Sequence, residues 1–159
     1  MVARERRRIE SERGVVICDT RYLPIVVMQW RGETDLELIE RFGRWMNELL
    51  QALEAEDRYA ATIVDLTHVV PPSSEIRRAL VELRHQHLRR SKGRVVIDVI
   101  ATSRPALRGL IQALSWINPR APAVAAVSLG QALRRCRTAL ERAGIAAPSV
   151  RAEEFEEPS

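Results

Sequence analysis

The sequence predicts a single α/β domain built around a mostly parallel β-sheet. Its 159 residues fit one domain. Aromatic residues make up 4% of the chain, so the core must consist mainly of Val, Ile, Leu and Ala, which is typical of buried parallel strands. After the second predicted strand, short apolar runs alternate with helix-length segments. The predicted order is β-β-α-β-α-β-α-β-α, with the first strand as an antiparallel edge strand.

The first two predicted strands form a hairpin that leads into a helix. Apolar runs at 15–20 and 25–30 are separated by residues 21–24, a length that suits a hairpin turn. Thr34 and Glu37 match a T-x-x-E capping box, which marks a helix start. The apolar residues of this helix recur every three or four positions and predict one buried stripe: Ile39, Phe42, Trp45, Met46, Leu49 and Leu53.

The rest of the chain alternates three further strands with three further helices. A serine precedes each helical stretch, and serine is a favoured N-cap because its oxygen accepts a hydrogen bond from the free N–H groups of the first turn. These helices are predicted to begin at Ser73 or Ser74, at Ser103 and at Ser128. The strands are predicted at 60–66, 95–101 and 123–127.

The two ends of the chain differ in composition from the middle. Residues 1–13 contain five arginines and three glutamates and are predicted to form a solvated, charged arm. Residues 148–159 (PSVRAEEFEEPS) are predicted to form an acidic tail. The domain itself is therefore predicted at 14–147.

Composition argues against several classes of protein. There is no apolar stretch of the length that a signal peptide or a membrane span needs, so we expect a cytoplasmic protein without a membrane span. Cys18 and Cys136 lie far apart without a CxxC motif and are expected to be buried free thiols. His85 and His87 point to different sides of one predicted helix, so we expect no metal site and no cofactor.

The basic charge does not by itself predict a nucleic-acid partner. Net charge is +4 and the isoelectric point is about 9.8, values that nucleic-acid-binding domains often have. However, Lys92 is the only lysine among the 25 basic residues, and aromatic residues do not alternate with the arginines as they do on single-strand-binding surfaces. A protein partner is the better expectation.

A first cluster of candidate site residues follows the central strand, around the start of the second helix. Its serines have a structural role as caps. A phosphate on Ser73 or Ser74 would also be stabilised by the helix N-terminus and by arginines one turn later, and the same surface could instead dock an acidic partner without phosphate. The cluster consists of Thr67, His68, Ser73, Ser74, Arg77 and Arg78.

A second cluster lies at the start of the third predicted helix, where Ser103, Arg104 and Arg108 occur within six residues. Arginines near a helix N-terminus need a counter-charge. Either Asp65 or Asp98 supplies it as an internal ion pair, or a bound anion does. We expect Arg108 to pair with Asp98, because a carboxylate within an apolar strand is costly without a partner.

Several short motifs resemble those of STAS domains, the family of anti-sigma-factor antagonists. Residues 63–69 (IVDLTHV) and 71–74 (PPSS) are similar to the family's strand, loop and helix start. A closer resemblance is to the bacterial SpoIIAA-like, STAS/Sec14-related proteins. It rests on residues 32–34 (GET), on residues 103–109 (SRPALRG), and on Trp116 and Pro119, and it covers about residues 15–143 of this chain.

The resemblance implies a non-enzymatic regulatory module of bacterial signalling that docks a protein, such as a kinase or another regulator with an acidic surface. It also implies that Ser73 or Ser74 holds the position at which phosphorylated members of the family accept phosphate. The chain departs from the family pattern because Pro72 replaces an aspartate and the Gly-Leu pair is missing. The absence of a catalytic motif agrees with a protein that is not an enzyme.

The Sec14-like side of the resemblance implies a different function, which stays open. In that case the chain is a small-ligand or lipid/anion-binding module. Ser103, Arg104 and Arg108 would then hold a head group beside the apolar helix 107–116. Whether the chain forms a homodimer also stays open.

Overall fold

A computed structural model describes residues 1–105, 107, 111 and 123–156. The strands are β1 (Arg6–Glu10), β2 (Gly14–Asp19), β3 (Ile25–Gly32), β4 (Ala60–Val69), β5 (Val95–Ala101) and β6 (Ala123–Ala126). The helices are α1 (Leu36–Ala55), α2 (Ser74–Ser91) and α3 (Leu129–Arg142), followed by a 3-10 turn at Ala152–Phe155.

The six strands lie in one sheet in the order in which they occur in the chain. β3, β4, β5 and β6 are parallel, whereas β1, β2 and β3 are antiparallel neighbours. This mixed sheet confirms the predicted α/β class and the predicted β2–β3 hairpin. It also fixes where the site lies, because α1 and α2 both begin where a parallel strand has ended.

The N-terminal segment differs from the predicted solvated arm. Residues 6–10 form β1, whose register with β2 pairs Arg6 with Asp19 and Glu10 with Val15. The edge strand is therefore β1, and the prediction that residues 15–20 form the edge is wrong. The strand was not predicted because its sequence, RRRIE, is mostly charged. Strands at a sheet edge carry charged residues because these discourage pairing with other chains.

The C-terminal segment also differs from prediction, because part of it packs on the domain. The Phe155 side chain is 1% exposed, and its ring contacts that of Tyr22 edge-to-face at 5.3 Å between centroids. Tyr22 Oη donates to Glu154 Oε2 at 2.7 Å, and the Arg6 guanidinium donates to the Phe155 carbonyl at 3.1 Å. Residues 152–155 thus cover the same face of the sheet as α3.

The helix α1 buries the predicted stripe against the other face of the sheet, so this prediction is confirmed. Its cap lies one residue later than predicted. The Asp35 side chain, not that of Thr34, accepts the capping hydrogen bond, from Leu38 N at 2.8 Å. On the opposite face, α3 begins at the predicted cap Ser128 and buries Leu133, Cys136 and Leu140.

Cys18 and Cys136 are buried free thiols, as predicted, and they lie on opposite sides of the sheet. Burial raises the pKa of the Cys18 thiol and raises that of Cys136 to about 12. Both groups are therefore protonated and unreactive at neutral pH.

The third predicted helix is described at only three positions. Pro105, Leu107 and Ile111 are helical, and Leu107 and Ile111 are buried against the α1 side of the sheet. Arg108, Trp116 and Pro119 lie outside the described residues. No helix in the described part of the chain has both the length and the apolar character that crossing a membrane requires.

Candidate functional site

A groove lies between the N-termini of α1 and α2, beyond the ends of β3 and β4. Its volume is about 660 Å³. Two large apolar side chains in its wall are unusually exposed, Leu36 at 53% and Val70 at 46%. The groove is lined by Arg13, Glu33, Thr34, Asp35, Leu36, Glu37, Val70, Pro71, Pro72, Ser73 and Ile76.

The end of β4 holds the first residues that the sequence singles out. Asp65 is buried, and its carboxylate accepts hydrogen bonds from Gln29 Nε2 at 3.2 Å and from Thr67 N at 3.0 Å. The hydroxyl of Thr67 also bonds the Asp65 carboxylate. Thr67 therefore has a structural role in satisfying Asp65, whereas His68 is exposed.

The two candidate serines begin α2, and their contacts differ. Ser73 is the N-cap, and its Oγ accepts from Ile76 N at 3.3 Å. Ser74 Oγ accepts instead from the Arg77 guanidinium at 3.2 Å. Both serines are exposed, so each hydroxyl is accessible to a partner.

Arg77 and Arg78 are the charged part of this surface. Both are exposed, and neither forms an ion pair with a carboxylate of the described residues. Arg89 and Arg90 lie in the last turn of the same helix, where the helix dipole stabilises cations. Arg77 and Arg78 are at the opposite end and gain no such stabilisation.

The carboxylates on the α1 side of the groove already have partners. Glu33 contacts Arg13 at 3.4 Å, and Glu37 contacts Arg41 at 2.6 Å. Asp35 caps α1. Arg77 and Arg78, which directly follow the lining residue Ile76 on α2, carry positive charge without an ion-pair partner among the described residues.

Two residues of the second predicted cluster, Ser103 and Arg104, lie in the described part of the chain. The Arg104 guanidinium donates to the Val69 carbonyl, and Arg104 N donates to Thr102 Oγ1 at 3.2 Å. Asp65 lies on the α3 side of the sheet with Ile63, whereas Asp98 lies on the α1 side with Ile100. The two carboxylates therefore cannot serve one common site.

Asp98 has a cationic partner, as its position in an apolar strand predicts, but the described partner is Arg84 of α2. Arg84 Nε donates to one carboxylate oxygen at 2.8 Å, and Thr62 Oγ1 donates to the other at 2.8 Å. The sequence prediction named Arg108, which lies outside the described residues. Sequence reasoning missed Arg84, although its spacing from Leu80 and His87 places it on the inward face of α2.

In the described ranges, no three His, Cys, Asp or Glu side chains are grouped so that they could hold a metal ion.

Comparison with known proteins gives a likeness in structure but not in sequence. The sequence matches no family model and no curated protein. An anti-sigma factor antagonist from Mycobacterium paratuberculosis superposes with a TM-score of 0.52 and 18% identity, over 77% of this chain and 92% of that one. An uncharacterized protein with a SpoIIAA-like fold from Shewanella loihica PV-4 superposes with a TM-score of 0.51 and 13% identity, over 86% of this chain and 98% of that one.

The superposed region covers nearly the whole length of each of the two known structures. The likeness therefore concerns a whole domain and not a fragment of one. At these identities the likeness establishes the fold and carries no site residue across. The fold that the sequence motifs predicted is thereby confirmed: the chain has a SpoIIAA-like fold of the STAS type, shared with an anti-sigma factor antagonist.

Proposed function

We propose that the chain is a non-enzymatic regulatory module that docks a protein partner with an acidic surface at the groove between α1 and α2. The observation that carries this proposal is the combination of two exposed apolar side chains in the groove, Leu36 and Val70, with the neighbouring Arg77 and Arg78, which form no ion pair with a described carboxylate. Protein interfaces commonly combine an apolar centre with a charged rim.

The energetic roles of the two kinds of residue differ. Burial of Leu36 and Val70 supplies affinity, because apolar surface leaves water. Arg77 and Arg78 steer an acidic partner towards the groove and set the specificity of docking. The partner's carboxylates would also provide the counter-charge that these arginines lack among the described residues.

The fold supports a partner of the signalling kind, because one structure of this fold is an anti-sigma factor antagonist. A kinase or another acidic regulator in the bacterial cytoplasm is the partner class we propose. Catalysis is not part of the proposal, and the carboxylates of Asp65 and Asp98 are both held by internal hydrogen bonds.

Phosphorylation of Ser74 would regulate this docking. Its hydroxyl is exposed and lies 3.2 Å from the Arg77 guanidinium. A phosphate there would add nearly two negative charges beside Arg77 and at the positive end of α2. It would neutralise the surface that attracts an acidic partner, so the modified form should release it. Ser73 is the second candidate, but its modification would also disturb the cap of α2.

The test is to map where the partner lies. Benzoylphenylalanine, a photo-crosslinking residue, replaces Val70 in one variant and Thr138 in another. Thr138 is exposed on α3, on the opposite face of the sheet, and serves as the matched control. We expect a crosslink to one defined protein, in extract of the source organism, from position 70 and none from position 138. Equal crosslinking from both positions, or none from position 70, would contradict the proposal.

A further inference from the structure

A cavity lies between the helix α2 and the sheet. The helix packs chiefly against α1, and Ser91 at its end is the residue of α2 that is buried. Ile76, Leu80 and Leu83, which the helical spacing predicts to be buried, are only half-buried. The cavity has a volume of about 120 Å³. The side of α2 that faces the sheet is therefore incompletely packed, whereas protein interiors are normally close-packed.

The walls of the cavity are mostly apolar. They come from strands β3, β4 and β5 and from the helices α1 and α2. The apolar lining side chains include Met28, Met46 and Val64. Arg84 and Asp98 also line the cavity, and they pair with each other at 2.8 Å. A charged group that entered would have to compete with this ion pair, so the cavity favours an apolar group.

The cavity adjoins the groove between α1 and α2. Thr34 and Pro72 line both spaces, and both residues are half-buried. Thr34 directly precedes the N-cap of α1, and Pro72 directly precedes the N-cap of α2. The groove and the cavity therefore meet between the N-termini of the two helices.

The two sides of this junction are held differently. On the side of Thr34, the backbone is fixed by a hydrogen bond from Glu33 N to the Arg13 carbonyl at 3.0 Å. On the side of Pro72, residues 71–79 form no hydrogen bond or ion pair with another element among the described residues. The first turns of α2 can therefore move away from α1 without the loss of a polar contact to the described part of the chain.

We propose that the partner docked at the groove inserts one apolar side chain, of the size of leucine or methionine, into the cavity between Thr34 and Pro72. This inference rests on the proposed function and adds the chemistry of the partner, which is an apolar anchor residue with carboxylates beside it that reach Arg77 and Arg78. The charge of these two arginines complements the carboxylates.

The size of the cavity supports an aliphatic anchor. A dry cavity of about 150 Å³ holds a benzene-sized molecule, and the side chain of leucine has fewer atoms than benzene. The volume of about 120 Å³ therefore suits leucine or methionine better than an aromatic residue. A few side chains buried in pockets near the centre of an interface carry most of its binding energy, so this residue should dominate the affinity.

The methionines of the chain test the cavity directly and without a substitution. Met28 and Met46 line the cavity and are 1% and 6% exposed, whereas Met1 is fully exposed and serves as an internal control. The full chain is labelled with ¹³C at the methionine methyl groups and titrated with N-acetyl-leucine methylamide. We expect saturable shifts of the Met28 and Met46 signals and nuclear Overhauser contacts between them and the leucine methyl groups.

The matched probe is N-acetyl-glycine methylamide, which lacks the side chain and should shift none of these signals. Met1 should respond to neither probe. If the leucine probe leaves Met28 and Met46 unchanged, or shifts them no more than the glycine probe does, the proposed anchor site is overturned. That result would stand whatever a crosslink from position 70 shows, so the two proposals can fail separately.

A second experiment fills the cavity and leaves the groove residues unchanged. Val64→Phe places a larger side chain in the cavity, whereas Val127→Phe makes the same change at a side chain that is 60% exposed just after β6. We expect Val64→Phe to remove the response to the leucine probe and to weaken binding of the partner captured at position 70 at least about tenfold.

Val127→Phe should preserve both the response to the probe and the affinity for the partner. Urea denaturation verifies that each variant is folded. A partner that binds folded Val64→Phe as tightly as the unmodified chain would overturn the anchor and leave docking at the groove intact.

Discussion

Replacing Arg84 by Met should destabilise the fold far more than an ordinary surface substitution. The side chains of Arg84 and Asp98 are only 12% and 11% exposed, and their ion pair joins α2 to β5. Loss of the guanidinium leaves the Asp98 carboxylate with Thr62 as its described hydrogen-bond donor. Removing one partner of a buried pair costs about 3–5 kcal/mol. We expect about 3 kcal/mol, since the pair retains some exposure.

The free energy of unfolding is measured by urea denaturation, with the m-value checked for a two-state transition. The matched control is Arg137→Met, which breaks the exposed pair with Glu141, 3.0 Å long and at 51% and 58% exposure, whereas the Arg84–Asp98 pair is 2.8 Å long. That change should cost no more than about 0.5 kcal/mol.

A double-mutant cycle then separates the pair from other effects of the Arg84 substitution. The variant carrying both Arg84→Met and Asp98→Asn should be more stable than the sum of the single changes predicts, by about 2 kcal/mol. If Arg84→Met costs as little as Arg137→Met, or if the two changes at the pair are additive, the account of a buried, coupled ion pair is refuted.

Three further predictions concern the buried histidine, the C-terminal segment and the cap of α2. Because burial lowers the pKa of His87 from 6.5 to about 4, the unfolded chain binds the proton first as pH falls. Stability should therefore drop by about 2 kcal/mol between pH 7 and pH 5 through this group. Urea titrations should show this drop reduced in His87→Gln, and an unchanged pH dependence would contradict it. Phe155→Ala should cost about 3 kcal/mol in the same assay, since it empties a buried site against Tyr22; a loss below about 1 kcal/mol would show that the segment does not pack as described. Ser73→Ala should cost about 1 kcal/mol because it removes the N-cap, whereas Ser74→Ala should change thermal stability little; equal losses would argue against Ser73 as the cap.

Much of the fold follows from local sequence periodicity. The stripe of α1 and the alternation of strands with helices predict the parallel part of the sheet, because burial of one helix face fixes which residues must be apolar. The edge strand β1 was not predictable in this way, since its charged sequence, RRRIE, is what keeps an exposed edge from pairing. The burial of Phe155 was not predicted either, because glutamates surround it in the C-terminal segment.

The site was predictable where it depends on local chemistry. Ser73 or Ser74 was predicted as a cap because serine at a helix start satisfies free N–H groups, and the structure shows that bond at Ser73. The groove itself required the fold, because Leu36 and Val70 are 34 positions apart in sequence and meet only when β3 and β4 pair. The pairing of Asp98 with Arg84 likewise depends on how α2 crosses β5.

The measurement that tests the docking proposal most directly is the affinity for the partner captured at position 70. Two double variants carry the same change in charge on the same helix, Arg77→Glu with Arg78→Glu and Arg89→Glu with Arg90→Glu. We expect the first to weaken binding at least about tenfold and the second to change it less than about threefold, because Arg77 and Arg78 directly follow Ile76, which lines the groove, whereas Arg89 and Arg90 lie in the last turn of the helix. Equal effects of both variants would mean that overall charge attracts the partner, and no effect of the first would contradict docking at this surface.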